Sequence, residues 1–421
     1  MVTVESILEN LKQGELDSVS RHINEIKTSG SDEEILELAE GCMNYGFIEE
    51  AKHLYEHLLV KYPDEGELLV SIAEILTDMD REDEAILLLE KVSEDDPAFP
   101  SALLLEADLY QMQGMDEVSE RKLLRAKSIL PDEVIVDFAL GELFYQQAKY
   151  VEALESYQKA VKSEAEISGI SLNQRIADTL SSLGQFEEAL PYFEKALAEK
   201  LEINSLFEYG FTAYQAGAYN TAVEKLTELK NLDPEYHSLY LYLAKAYEQL
   251  EDIDGALEAA KDGIKQGEFN KELNHFAGKA ALKKGLEDEA EYYFKEALAL
   301  DPGFMETALN LLKLYMHQER YEDVIEVIDS VKHYGEYDPQ FDWLLAVSHQ
   351  NLENFSEAAE YFAEAGKEYA ENEDFLEEYG FFLIEEGKNK EAAELFNKLI
   401  KLQPANDEYI EILERLNESR I

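Results

Sequence analysis

The 421-residue sequence holds a single cysteine, Cys42, and only nine prolines. One cysteine excludes an intramolecular disulfide and fits a reducing compartment. Proline breaks helices more strongly than any other residue, so its scarcity leaves long stretches free to be helical. Positive charge is also scarce: 37 Lys and Arg stand against 92 Asp and Glu, a net charge of −55. A field of that sign repels nucleic acid and acidic membrane surfaces and favours basic partners. The plain alternative is a strongly solvated surface and nothing more. Arginine is rarer than lysine, so little points to bidentate recognition of phosphate or carboxylate. Long apolar runs are missing too. "LYLYLA" and "AILLLE" fall far short of the roughly 20 residues that span a bilayer. The opening "MVTVESILENLKQGEL" has no basic start, long apolar core or small-residue cleavage site. These absences predict a soluble, cytoplasmic protein that neither binds nucleic acid nor inserts in a membrane.

What is present is apolar content, 46% of residues, arranged in helical periods. In "GAYNTAVEKLTELKNLDPEY", Val223, Leu226, Leu229 and Leu232 share one helix face. Gly217 opens the stretch and Pro234 stops it, because proline cannot donate the next backbone hydrogen bond. A lone helix of this length is marginal in water and must pack on neighbours.

The small residue Ala222 has counterparts at Ala51, Ala85, Ser119, Ala153, Ala189, Ala256, Ala290, Val324, Ala358 and Ala392. Nearly every step is 34 residues; one is 36 and one 33. A second small residue lies twelve positions earlier in nearly every copy, as at Ala39, Gly141, Gly278 and Gly380. A bulky residue lies four positions later, as at Tyr55, Tyr157, Phe294 and Phe396. Glycine recurs between the two small marks at Gly46, Gly114, Gly184, Gly217, Gly285 and Gly387, and proline often closes the copy. Each copy therefore reads as helix, tight turn, helix, tight turn, with glycine at the inner turn.

This pattern resembles the tetratricopeptide repeat, whose unit has 34 residues, small residues at the eighth and twentieth places and proline at the thirty-second. The resemblance implies an all-α solenoid, a right-handed superhelix of eleven to twelve helix pairs. Eleven units tile residues 32–406. Residues 1–31 look like a degenerate further unit, with Gly14 at the turn and Val19 at the small place. Residues 407–421 look like a helix that caps the last repeat. Two departures stand out: Glu268 where proline is expected, and a two-residue extension around "KSEAEISGISL" with Gly169, which reads as a slightly longer inter-repeat loop with a bend near 163–170, a hinge between two half-solenoids being the sharper alternative.

The resemblance also implies that the first helix of each pair lines a concave groove, with the second, fifth, ninth, twelfth and thirteenth places facing it. Those places are acidic in the early units (Glu33, Glu40, Glu67, Glu74, Asp78, Asp108, Glu142, Asp178). They turn aromatic at Phe138, Tyr145, Phe207, Phe211 and Tyr214. They then turn locally basic at Lys245, His275, Lys279, Lys283, Lys313 and His317, mixed with Glu248, Glu272 and Glu306, and end with Trp343, Phe381 and Ile384. The expectation is a protein-interaction scaffold or adaptor that binds an extended peptide or protein segment. The acidic part would attract basic segments, the aromatics would anchor apolar side chains and the lysines would meet a carboxylate. The competing reading is packing of the aromatics between helices and neutralisation of nearby glutamates by the lysines. The clamp that some members use for chaperone C-termini needs a lysine at the fifth place and an asparagine at the ninth. No fifth place here is lysine and no ninth place is asparagine, which argues against it. Two alternatives to the adaptor remain: an acidic, chaperone-like holdase for basic clients, and a peptide-responsive regulator.

No catalytic residue, cofactor or metal site is expected. "HLYEH", from His53 to His57, matches an inverted zinc-peptidase pattern. It falls on a second helix whose packing place is Tyr55, so both histidines should face outward. "DMDRED" and "EDIDG" lack the glycine and ligand spacing of a calcium loop. No phosphate-binding GxxxxGK[ST] occurs, and Cys42 reads as a buried small hydrophobe.

Overall fold

The computed structural model describes residues 4–13, 16–162, 167, 169–267 and 269–418. Among them the secondary structure is twenty-five α-helices and no strand. The chain separates into two compact units, Met1–Ala216 and Gly217–Ile421. In the first unit the helices run α1 (Val4–Gln13), α2 (Leu16–Ser29), α3 (Asp32–Asn44), α4 (Ile48–Lys61), α5 (Gly66–Asp78), α6 (Glu82–Leu89) and α7 (Phe99–Met112). They continue with α8 (Asp116–Ile129), α9 (Val134–Gln146), α10 (Tyr150–Lys162), α11 (Leu172–Ser182), α12 (Phe186–Glu199) and α13 (Ile203–Gln215). The second unit holds α14 (Tyr219–Leu232), α15 (Ser238–Gln249), α16 (Ile253–Gln266), α17 (Lys271–Lys283), α18 (Glu287–Leu300) and α19 (Met305–His317). It ends with α20 (Tyr321–His333), α21 (Gln340–Asn351), α22 (Phe355–Ala365), α23 (Glu373–Glu385), α24 (Asn389–Leu402) and α25 (Asp407–Glu418). This is the all-α, paired-helix solenoid that the repeat register predicts. Gly14, Glu268 and the expected bend at 163–166 and 168 lie outside the described residues, as does the side chain of Val19.

Local chemistry explains the helix ends. Ser31 Oγ accepts from Glu34 N at 3.2 Å while Glu34 Oε2 accepts from Ser31 N at 2.8 Å, a reciprocal cap at the start of α3. Asn270 and Asn372 cap α17 and α23 in the simpler way, accepting from Leu273 N at 2.8 Å and Phe375 N at 3.0 Å. Asp96, in the turn after the short α6, accepts from Gly66 N at 3.1 Å and so caps α5 from a distance. The turn inside each pair reaches φ > 0 at the same place in all eleven repeats. Six of these residues are the expected glycines; the others are Asp80, Ala148, Glu251, Glu319 and Glu353, with φ between 56° and 61°. At these five the fold imposes a backbone that L side chains adopt at a cost.

The small residues prove to be contact points between paired helices. A Cβ on Gly141 would lie 2.5 Å from the Tyr157 ring, and one on Gly278 would lie 2.5 Å from the Phe294 ring. Tyr157 and Phe294 are fully buried, so the eighth place must be small where the twenty-fourth is a ring that lies over it. Within the first unit α5 packs on α7, α7 on α9 and α11 on α13; within the second, α15 packs on α17. Among the described residues no successive second helices pack comparably, so the first helices lie on the inner side of each unit. At the C-terminal end α25 covers α24 with Tyr409, Ile412 and Leu416, all at most 6% exposed. No helix among the described residues is long and apolar enough to cross a membrane.

Candidate functional site

The eighth and ninth places of each first helix are adjacent in sequence and opposite in environment. Ala39, Ala73, Ala107, Gly141, Ala177, Gly210, Ala244, Gly278, Leu312, Ala346 and Gly380 are all buried. The next residue is half-buried or exposed in every case. A step of one residue turns about 100° around a helix, which carries the side chain off the packed face. The ninth place is thus an accessible column, and its chemistry changes in blocks. In the first unit it reads Glu40, Glu74, Asp108, Glu142, Asp178 and Phe211; in the second, Lys245, Lys279, Lys313, Val347 and Phe381.

In the first unit the outer carboxylates Glu40, Glu74 and Asp108 stand exposed. Glu142 accepts from Tyr157 Oη at 2.6 Å and from Arg175 Nε at 2.9 Å. Asp178 is drawn into a pair with Glu208 of the next helix pair. Gln174 Nε2 bridges them, donating to Asp178 Oδ1 at 2.7 Å and to Glu208 Oε2 at 2.8 Å. Burial and the neighbouring Glu208 charge push Asp178 up to about 7, and burial raises Glu208 as well.

The aromatics expected at the surface divide. Phe207 and Phe211 are half-buried, with rings stacked at a centroid distance of 6.3 Å and an interplanar angle of 17°. Tyr214 is half-buried on the same helix. Tyr145 is half-buried and meets Tyr150 edge-on at 5.4 Å. Phe138 departs from the expectation: it is 9% exposed, in the core, 6.2 Å from the Tyr157 ring. Its ring packs on Tyr157 of the second helix of its own pair, in a buried cluster with Val134, Ala153 and Leu172.

In the second unit Lys279 Nζ lies 3.5 Å from Glu306 Oε1, and Lys283 Nζ lies 2.5 Å from Glu248 Oε1. Lys245 lies over the Tyr242 ring, 5.7 Å from its centroid, and Lys313 is exposed. Among the described residues neither Lys245 nor Lys313 has a carboxylate at ion-pair distance. His275 is buried, with Nδ1 2.8 Å from Thr307 Oγ1 and Nε2 3.1 Å from Glu306 Oε1. Burial lowers its pKa, against the pull of Glu306. Trp343 is half-buried; its Nε1–H donates to Glu378 Oε2 at 2.6 Å and its ring packs edge-on against Phe375 at 5.5 Å.

Cys42 is fully buried and its thiol is pushed up to about 12, chiefly by burial, an environment for packing rather than nucleophilic attack. His53 and His57 are exposed on α4, with Tyr55 buried between them. The blocks of the ninth column were open to sequence reading: one place followed down all the repeats shows them, where five places pooled across repeats blur them. The Asp178–Glu208 pair was not legible, because Glu208 occupies a sixth place.

The YpiA-like tetratricopeptide-repeat family matches residues 111–165, and its C-terminal repeats match residues 339–406. General tetratricopeptide-repeat families match 170–200, 241–304 and 281–346. The TPR repeat-containing protein YpiA of Bacillus subtilis is 42% identical over 415 residues, covering 99% of this chain and 98% of its own. A DnaJ homolog subfamily C member 7 homolog of Schizosaccharomyces pombe is 28% identical over 181 residues, covering 39% of this chain and 38% of its own. Among solved structures, the C-terminal part of a TPR repeat-containing protein from Cytophaga hutchinsonii is 18% identical with a TM-score of 0.48, covering 56% of this chain and 96% of that one.

Proposed function

We propose a function from one premise: this chain belongs to the YpiA-like family of tetratricopeptide-repeat proteins. Proteins built of these repeats generally mediate protein–protein interaction and are typically scaffolds without catalysis. The finer reading is an adaptor that holds an extended protein segment along the inner faces of its first helices. One observation carries it. The ninth place is accessible in all eleven repeats while the eighth is buried in all eleven, so packing does not dictate its chemistry, yet that chemistry runs in blocks. In the first unit the carboxylates would attract a basic stretch of the partner and the Phe207–Phe211 stack would take an apolar side chain. Long-range attraction would bring the segment in, and the aromatic contact would hold it.

The same acid column favours a second reading, a holdase for many basic clients bound by charge alone. A pull-down from native extract at low and high salt separates the two. A discrete partner that survives high salt supports the adaptor; a broad basic set lost as salt rises supports the holdase, since its attraction would be screened. On a discrete partner, Phe207→Ala with Tyr214→Ala is expected to remove binding with helicity unchanged by circular dichroism. Full binding by that double variant overturns the aromatic anchor.

A further inference from the structure

We propose that the accessible face of α15, α17 and α19 docks an extended acidic segment whose carboxylates recur at every third residue. The proposal rests on the groove reading above and supplies a ligand chemistry for the second unit. Lys245, Lys279 and Lys313 sit at one place on three successive first helices, 34 residues apart each time. The fold does not demand them, since the same place carries carboxylates on five first helices of the first unit. Neutralising resident glutamates does not explain them either. Among the described residues only Lys279 of the three has a carboxylate at ion-pair distance, and that partner, Glu306, is 62% exposed and also lies 3.1 Å from His275 Nε2. Lys283, one turn beyond Lys279, adds a fourth ammonium, paired with the half-buried Glu248. In a chain where acids outnumber bases 92 to 37, two ammonium groups without a carboxylate on this face are poised for one from outside.

The spacing selects the ligand. Packed helices, as α15 and α17 are, lie about 8–10 Å apart, and a polyproline II segment advances about 3.1 Å per residue with every third side chain on one face. One turn of that conformation, three residues, therefore covers one helix interval, and carboxylates at positions i, i+3 and i+6 share a face and meet successive lysines. A long polyanion such as nucleic acid would also meet the repulsion of the whole −55 surface. A short segment meets mainly the charges within about 8 Å, the screening length at physiological salt.

The test is fluorescence anisotropy on the full chain with a dye-labelled synthetic peptide of about nine residues, three of them Glu at every third position. Comparators are a peptide of equal composition with the three Glu contiguous, and a single-stranded oligonucleotide. The spaced peptide is expected to bind, and to bind several-fold tighter than the contiguous one. Lys245→Glu with Lys313→Glu should weaken it about tenfold, while Lys388→Glu with Lys390→Glu, on the surface of the last repeat, should leave it within about twofold. Circular dichroism checks that each variant is folded. The proposal is overturned by failure of the spaced peptide to bind, by equal affinity for the contiguous peptide, by indifference to the Lys245 and Lys313 reversals, or by tighter binding of the oligonucleotide. Self-association of the unliganded chain that those reversals abolish would also overturn it, by making a second copy the occupant. Failure here, with the Phe207 and Tyr214 variant still losing its partner, sinks the acidic ligand alone; survival of partner binding in that variant too sinks the groove reading beneath it.

Discussion

Residues 1–216 hold 46 Asp and Glu against 17 Lys and Arg; residues 217–421 hold 46 against 20. Composition barely separates the two units, yet the charged places of their inner columns are opposite in sign, five carboxylates in one and three lysines in the other. The packing beneath those columns is the same. Tyr157 lies over Gly141 in the first unit and Phe294 over Gly278 in the second, at matching distances. A repeat thus separates the place that holds the pair together from the neighbouring place that meets solvent, and a surface can change chemistry without disturbing the core below it.

The strongest way to break this comparison is to attack the shared core. Phe294→Ala removes a fully buried ring and is expected to cost about 4 kcal/mol in denaturant unfolding. A cost below about 1 kcal/mol would mean that this ring is not the common support.

Proton linkage sharpens the comparison, because one carboxylate in each unit responds oppositely. Asp178 titrates at about 7 in the folded first unit, against about 3.9 unfolded. The folded state then binds the extra proton between those values, so this contribution to stability is lost as pH rises through about 7. Asp178→Asn should raise stability at pH 8 by on the order of 1 kcal/mol and flatten the profile between about pH 4 and 7. In the second unit the hydrogen-bonded Arg320 guanidinium holds Glu291 down at about 2, against about 4.3 unfolded. Its contribution is complete above about pH 4.3 and is lost as pH falls toward 2. Glu291→Gln should cost about 1–2 kcal/mol at neutral pH and much less near pH 2. Melts of both variants across pH check the pair; parallel profiles would refute the contrast.

The smallest effect concerns the inner turns. Ala148 in the first unit and Glu319 in the second hold φ near 57° where other repeats use glycine. Ala148→Gly and Glu319→Gly should each stabilise by about 0.5 kcal/mol, since relief of the left-handed cost outweighs the flexibility glycine adds to the unfolded chain. A loss in thermal melting on both would show that the turns are not strained.

Much of this was legible in advance. The helix pairs, the small eighth place and the glycine turns follow from spacing within one repeat, where contacts are close in sequence and helix geometry repeats. The turns at Asp80, Ala148, Glu251, Glu319 and Glu353 carry no glycine, and register alone located them. The aromatic and charged lining was legible as a list of residues but not as an arrangement. Phe138 read as surface and is core, because its exposure depends on how closely its own second helix approaches.

By itself, then, the sequence determined the repeat and the class of fold; the structure singled out the ninth place as the column that reaches solvent. Tertiary structure alone decided that Asp178 meets Glu208 through Gln174, that Lys279 finds Glu306, 27 residues on, and that Lys245 and Lys313 find no carboxylate among the described residues. The physical reason is reach. Helical periodicity is set by neighbours three and four residues away, whereas burial, pairing and protonation are set by what the next repeat carries across the gap between helices, and sequence spacing holds no record of that approach.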